Sequence, residues 1–126
     1  RVRNAYAWQK MLKANIPLLM NSDLPGEPWE PMNTLYFAVN RKTLDNFPEG
    51  GWYKEEALSV EQALQAMTVT GAYAAFQEDK LGQLSVGYFA DFVELDMDPL
   101  TIPNVDLKDI QVKATWINGQ KIWPKS

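Results

Sequence analysis

The sequence predicts an α/β fold over its first 80 residues and β structure over the remainder. Apolar residues recur at helical spacing just before a short, wholly apolar run at residues 16–20, and this order is typical of an α/β unit. Near the other end, Asn118-Gly119 separates two strand-like runs, and this pair favours a tight β-hairpin. We therefore expect two parts, residues 1–80 and residues 81–126.

The first predicted element is an amphipathic helix that begins after Asn4 and carries its apolar residues at positions 5–12. It should end near residue 14, because Pro17 disfavours the helical conformation at Ile16. The apolar run at residues 16–20 then predicts a short strand. A continuous apolar run suits a parallel strand that is buried on both faces.

The next predicted elements are a proline-containing loop, a helix and a second loop. Residues 21–31 contain three prolines, which favour a stiff, extended segment, and Pro31 also suits the first turn of a helix. A helix is predicted over residues 34–41, with Leu35, Ala38 and Val39 facing inward. Residues 43–58 are polar and aromatic, and they are predicted as a loop centred on Gly50-Gly51.

Ser59-Val60-Glu61-Gln62 predicts the start of the next helix, because it matches a capping box. The helical pattern weakens at residues 68–71, so residues 72–77 are predicted as a separate helical piece. The side chains expected to face the core are Ala63, Leu64, Met67, Tyr73 and Phe76.

After residue 80 the pattern changes to turns and strands. Residues 81–87 are rich in glycine, residues 89–95 predict a strand, and residues 96–99 predict a turn. Strands over residues 112–117 and 120–123 complete the predicted hairpin. Asp91, Asp96 and Asp98 lack the spacing of a calcium-binding loop, so we interpret them as strand and turn residues, with Asp91 fixing the turn into the β part.

The composition excludes several classes of function. The 126 residues contain no cysteine and no histidine, which excludes disulfides, thiolate catalysis and zinc-finger chemistry. Net charge is -4 and the basic residues are scattered, so neither nucleic acid nor a membrane is an expected partner. The longest uncharged run, residues 62–77, is too short to span a bilayer. The composition predicts a soluble protein and does not decide the compartment.

Four stretches, in this order, resemble the C-terminal part of the amidohydrolase superfamily, in particular the amidohydrolase 3 group with its YtcJ-like proteins and N-substituted formamide deformylases. They are PLLMNSDLP at 17–25, AVNR at 38–41, LSVEQAL at 58–64 with AYAAF at 72–76, and GQLSVGYFADFV at 82–93. Two positions depart from the family pattern. Asn21 stands where glycine is more frequent, and Tyr88 stands where lysine is frequent.

The resemblance implies a C-terminal fragment of a TIM-barrel amidohydrolase. Residues 1–80 would be the end of the barrel, with its last strand and helices, and residues 81–126 would be strands and a hairpin of the small β-sandwich domain. Asp23 would follow the last barrel strand, where TIM barrels carry their active sites. In the family, the matching acid touches a metal-bound water and transfers its proton.

The site residues have structural interpretations as well as functional ones. Asp23 fits either a catalytic acid that also touches the metal, or a helix cap or turn acid, and the ordered resemblance favours the first. Glu27 and Trp29 either wall a substrate pocket or belong to a solvated loop. Arg41 and Lys42 suit a solvated or paired position at a helix end, with anion binding as the alternative. Trp52 and Tyr53 form either a mobile lid or ordinary packing.

The function implied is hydrolysis of the C–N bond of an amide, formamide or cyclic amide through a metal-bound hydroxide. The divalent metal, zinc by expectation, would be held mainly by histidines outside this chain, so the chain alone should be inactive and bind no cofactor. Its expected partners are a small amide-type substrate, the remainder of its own polypeptide and, for the fragment, other copies of itself. The alternatives are a non-enzymatic binding or regulatory protein that keeps the amidohydrolase fold, and an autonomous β-rich interaction domain.

Overall fold

The computed structural model describes residues 2–26 and 29–124, in which helices precede a small antiparallel sheet. The α-helices are Trp8–Lys13 (α1), Pro31–Asn40 (α2), Val60–Met67 (α3) and Val69–Ala74 (α4). Short 3-10 helices cover Val2–Asn4, Lys54–Glu56 and Asn104–Asp109. The strands Phe92–Leu95 (β1), Val112–Ile117 (β2) and Gln120–Trp123 (β3) pair in the order β1-β2-β3.

The predicted first helix is broken near its start. Residues 2–4 form a 3-10 turn, Tyr6 has a positive φ of 52°, and α1 begins only after Ala7. The Tyr6 ring makes edge contacts with the rings of Trp8 and Trp52, each at 6.1 Å between centroids. These tertiary contacts hold Tyr6 in a conformation that a continuous helix cannot adopt, so the prediction of one helix from Asn4 is wrong.

The prediction of a strand at residues 16–20, buried on both faces, is wrong for the described chain. No strand is assigned there, and only Leu18 is buried, whereas Ile16 and Leu19 are about half exposed. The Ile16 N–H donates to the Met11 carbonyl at 3.0 Å, and the Met20 N–H donates to the Ala66 carbonyl at 3.1 Å. A strand needs a neighbouring strand for its ladder of hydrogen bonds, and none lies beside this segment in the described residues.

Helix α2 begins at Pro31, three residues earlier than the predicted helix. A proline at the first helical position loses no helical hydrogen bond, because that N–H has no acceptor within the helix. The helix ends where Arg41 adopts the left-handed conformation, with φ 57° and ψ 39°. Leu35, Ala38 and Val39 are buried, as predicted.

The capping box at the start of α3 is confirmed. The Gln62 N–H donates to Ser59 Oγ at 3.1 Å, and the Ser59 N–H donates to Gln62 Oε1 at 2.9 Å. Ala63 is buried and Leu64 and Met67 pack against the core, but Tyr73 and Phe76 are 56% and 88% exposed. The prediction that these two aromatic residues lie in the core is therefore wrong, because no described element covers the end of α4.

The predicted hairpin is confirmed. Asn118 and Gly119 both have positive φ, 49° and 74°, as a type I′ turn requires, and Ile117 pairs with Gln120. The Asp91 carboxylate accepts a hydrogen bond from the Asn118 N–H at 2.7 Å. This contact joins the hairpin turn to the segment before β1, in agreement with the predicted role of Asp91.

The hydrophobic core lies between α2, α3 and the 3-10 helix Asn104–Asp109. Its most buried large side chains are Leu35, Tyr36, Val39 and Leu107. The core therefore takes residues from both sides of position 80, and the division into 1–80 and 81–126 stays a prediction. The mixed helix and sheet content is confirmed, while the origin of residues 1–80 in a barrel stays a prediction. In the part of the chain that the structure describes, no helix combines the length and apolar character needed to cross a membrane.

Candidate functional site

An open cleft of about 990 Å³ lies on the side of α2 that faces residues 20–23. Its walls come from Tyr6 and Trp8, from Thr34 and Phe37 of α2, and from the loop after α2. The complete set of lining residues is Tyr6, Trp8, Met20, Asn21, Ser22, Asp23, Thr34, Phe37, Arg41, Lys42, Thr43, Phe47, Pro48 and Trp52. The cleft thus combines an apolar, aromatic surface with a few charged groups, as small-molecule sites do.

Asp23 lies on the wall of this cleft and is exposed. Its N–H donates to Asn21 Oδ1 at 2.7 Å, its carbonyl accepts from the Gly26 N–H at 2.6 Å, and its φ is 52°. The backbone is therefore held in a turn, and no helix begins there. Within the described residues the Asp23 carboxylate accepts no hydrogen bond, so it is available to a ligand in the cleft.

The two predicted substrate-loop residues are Glu27 and Trp29. Glu27 lies outside the described residues. Trp29 is 67% exposed and does not line the cleft. The substrate-contacting role of this loop stays a prediction.

Arg41 differs most from its predicted environment. Its side chain was expected in solvent or in an ion pair, but the residue is only 6% exposed. The guanidinium lies between the rings of Trp8 and Trp52, 4.5 Å and 4.8 Å from their centroids. Nε donates to the Trp52 carbonyl at 2.9 Å and Nη1 to the Tyr6 carbonyl at 3.1 Å. Burial lowers the pKa of Arg41, while Glu56 and Glu55 act in the opposite direction.

Two lysines add positive charge near Arg41. Lys42 lines the cleft. Lys54 donates from Nζ to the Val39 carbonyl at 2.9 Å, at the end of α2. Burial lowers the pKa of Lys54, and the charge of Lys42 lowers it further. This end of α2 therefore places several cations beside one wall of the cleft.

The segment around Gly51 is packed against the helix end. Gly51 has a φ of 88°, and a Cβ there would lie 2.7 Å from the Asn40 carbonyl oxygen. The Trp52 N–H donates to the Arg41 carbonyl at 2.8 Å, and the Trp52 ring contacts those of Tyr6 and Tyr53. These contacts support the packing interpretation of Trp52 and Tyr53 over the mobile lid.

The described residues do not by themselves fit a catalytic metal. Asp23 is the acidic side chain on the cleft wall. Among residues 2–26 and 29–124, no group of three or more histidine, cysteine, aspartate or glutamate side chains lies close enough to hold an ion. Catalytic zinc normally takes three protein ligands, so further ligands would have to come from outside the chain.

The sequence predicted Asp23 as a candidate site residue, and that role stays a prediction, whereas the aromatic surroundings of Arg41 were not predicted. Trp8, Arg41 and Trp52 are widely separated in the sequence, and no local period connects them. The left-handed conformation of Arg41, which turns the chain towards Trp52, has no glycine or asparagine at that position to indicate it. Only the folded arrangement brings these side chains together.

Comparisons with known proteins identify relatives over nearly the whole chain. A family model described as "Amidohydrolase family" matches residues 1–122. The "Putative amidohydrolase YtcJ" of Bacillus subtilis (strain 168) is 32% identical over 126 residues, which are 100% of this chain and 24% of that protein. The "Protein LONG AFTER FAR-RED 3" of Arabidopsis thaliana is 32% identical over 98% of this chain and 21% of its own length.

The "N-substituted formamide deformylase" of Arthrobacter pascens is 28% identical over 88% of this chain and 20% of its own length. A crystal structure of an amidohydrolase from Thermotoga maritima MSB8 superposes with a TM-score of 0.69. The identity is 19%, and the alignment covers 95% of this chain and 26% of that one, so it supports the fold alone. The chain thus spans between a fifth and a quarter of the length of these curated relatives.

Proposed function

The chain belongs to the amidohydrolase family, and from that premise we propose that it is the C-terminal portion of a metal-dependent hydrolase. The bond cleaved would be the C–N bond of an amide, formamide or cyclic amide. The observation that carries the proposal is the exposed carboxylate of Asp23, which has no hydrogen-bond partner in the described residues and lies on the wall of the 990 Å³ cleft.

In this proposal Asp23 transfers the proton during hydrolysis. Its carboxylate accepts a proton from the water whose oxygen bonds to the carbonyl carbon. It then gives that proton to the leaving nitrogen as the C–N bond breaks, and the products are an acid and an amine. The metal that the family implies, zinc in our proposal, would be held by residues outside this chain. Its chemistry would be to lower the pKa of the attacking water.

The exposed surface supports the proposal that more polypeptide packs against this chain. A folded monomer of 14.4 kDa is expected to expose about 6,800 Å², whereas this chain exposes 8686 Å². Phe76, Val86 and Trp29 are among its strongly exposed apolar residues. The remainder of the same polypeptide is the partner we propose for this surface, because the relatives are four to five times longer.

The experiment that tests the proposal is Asp23→Asn in the full-length protein, assayed on a formamide. Asparagine keeps the shape but cannot accept the proton, so kcat should fall by roughly 10²- to 10⁴-fold. Bound metal and melting temperature should change little. The matched control is Asp98→Asn, which alters another exposed turn carboxylate, one bonded to the Leu100 N–H. That control should keep its kcat, and a wild-type kcat in Asp23→Asn would show that Asp23 is not the catalytic acid.

The second candidate is a binding or regulatory protein that retains the fold without turnover. It is favoured by the Arabidopsis relative, whose name, LONG AFTER FAR-RED 3, states no reaction. Metal analysis of the full-length protein separates the two candidates. A stoichiometric divalent metal with formamide turnover supports the enzyme, whereas absence of both supports the binding protein.

A further inference from the structure

The guanidinium of Arg41 is held in a fixed position on the cleft wall. The Arg41 N–H donates to the Phe37 carbonyl at 2.9 Å, and its carbonyl accepts from the Trp52 N–H at 2.8 Å. Its side chain donates to the carbonyls of Trp52 and Tyr6 and lies between two indole rings. The backbone and the side chain are therefore both positioned before any ligand binds.

One nitrogen of this group has no acceptor. Nη2 is buried and makes no hydrogen bond within the described residues. Among the described residues no carboxylate lies at ion-pair distance from the Arg41 guanidinium, and the charges of Glu56 and Glu55 act on it only from farther away. Buried polar groups are almost always hydrogen-bonded, and a buried charge normally has a partner. Nη2 thus lacks an acceptor among the described residues, and an anionic ligand would supply one.

A carboxylate satisfies this requirement best. A guanidinium presents planar, fixed N–H donors that match carboxylate geometry, and a charged acceptor gives a stronger bond than a neutral carbonyl. Nε and Nη1 already donate to backbone carbonyls. Because these acceptors are neutral, they do not neutralise the positive charge of the guanidinium, and a bound carboxylate would. Lys42 adds a second cation on the same wall.

We propose that Arg41 binds the carboxylate of an amide substrate whose acyl or amine half is anionic, in the cleft that contains Asp23. This proposal rests on the hydrolase function proposed above and narrows its substrate class to carboxylate-bearing amides. Because Nη2 is closed off from solvent, an entering carboxylate must shift an adjacent indole. Binding should therefore change the tryptophan emission.

The test compares two probes on the full-length protein, N-formylglycine and its neutral analogue N-formylglycinamide. Arg41→Met should raise KM for N-formylglycine on the order of tenfold to a hundredfold, because it removes a hydrogen bond between charged groups. KM for N-formylglycinamide should stay within about threefold of the wild-type value. Arg41→Lys keeps the charge without the planar donors. Its KM for N-formylglycine should therefore lie between that of the wild-type protein and that of Arg41→Met.

The matched control is Lys80→Met, which removes an exposed positive charge outside the cleft and should leave both KM values nearly unchanged. Equal losses on both probes in Arg41→Met would mean that Arg41 only maintains the wall, and the proposal would be overturned. The proposal would also be overturned if Lys42→Met raised the KM for N-formylglycine and Arg41→Met did not. If Arg41→Met does not fold, the ratio of the two KM values in Arg41→Lys decides, and an unchanged ratio rejects the proposal.

A calorimetric titration separates this proposal from the hydrolase function. If the wild-type protein hydrolyses neither probe, the proposed hydrolase function fails. The carboxylate site would still be supported if N-formylglycine bound saturably and changed the tryptophan emission. The Arg41 variants should then lose both the binding and the emission change. Absence of binding to the folded wild-type protein would reject it.

Discussion

At the residue scale, Glu56 shows how one charged side chain can be kept inside this fold. It is only 3% exposed, and its carboxylate accepts from the Lys10 N–H at 3.2 Å and pairs with Lys10 Nζ at 3.1 Å. The pair joins α1 to the 3-10 helix Lys54–Glu56, next to the cleft. Burial acts to raise the pKa of Glu56, but the hydrogen bonds and charge of Lys10 outweigh it and lower the pKa below 4.5.

This pKa shift predicts a pH-dependent contribution to stability. A carboxyl whose pKa is lower in the folded state stabilises the protein above its unfolded pKa, and the contribution disappears as the pH falls through the folded pKa. Glu56→Gln should therefore reduce the melting temperature at pH 7, and the difference from wild type should shrink as the pH falls below 4.5. Glu78→Gln, at an exposed position, is the control and should show no such trend. An equal loss at pH 7 and pH 3 would contradict this account.

At the scale of elements, the sheet depends on the turn that joins β2 to β3. The Gly119 N–H donates to the Ala90 carbonyl at 3.0 Å, and Asp91 accepts from the neighbouring Asn118 N–H. The turn thus connects the hairpin to the segment that leads into β1. Distortion of the turn should affect all three strands, because β2 pairs with both of its neighbours.

Two glycines provide a matched test of this element. Gly119 has a φ of 74°, and an added Cβ would lie 3.8 Å from the Ala90 Cβ, an ordinary contact. Gly119→Ala should therefore lower the free energy of unfolding by about 1–2 kcal/mol. The cause would be the unfavourable positive φ of alanine, because the added methyl group collides with nothing. Gly71 lies in α4 and an added Cβ would meet nothing within 4 Å, so Gly71→Ala should be neutral or stabilise by up to about 1 kcal/mol. Chemical denaturation measures the free energy of unfolding of both variants. Equal losses in Gly119→Ala and Gly71→Ala would refute the conformational argument.

At the scale of the whole molecule, the chain exposes 8686 Å², more than the roughly 6,800 Å² expected of a folded monomer of its mass. Several large side chains, such as Phe76 and Leu84, are more than half exposed. Within the described residues, Phe76 after α4 stays exposed and the segment at residues 16–20 has no strand beside it. Both features fit a polypeptide that completes its packing with additional chain.

We predict that this chain, produced alone, self-associates and binds no catalytic zinc tightly. Exposed apolar patches drive association, so the apparent mass in light scattering should rise with concentration. Zinc titration by calorimetry should show no micromolar site, because the chain has no histidine or cysteine. A concentration-independent monomer would contradict the first expectation, and micromolar zinc binding would contradict the second.

Local patterns in the sequence determined those features that depend on neighbouring residues. The capping box at Ser59, the suitability of Pro31 for the first turn of a helix and the Asn118-Gly119 turn were each predicted and are present. The ordered motifs also gave the family, and they single out Asp23 as the candidate acid. Backbone geometry and short-range hydrogen bonding fix these elements, so a short stretch of sequence contains the necessary information.

Only the tertiary structure decided which side chains are covered and which distant residues meet. The apolar run at residues 16–20 has the composition of a buried strand, but without a pairing neighbour it forms none. Tyr73 and Phe76 have helical spacing and still face solvent. Arg41 is a polar residue at a helix end, yet contacts with Trp8 and Trp52 bury it. Burial depends on what packs against a residue, and that partner can lie far away in the sequence.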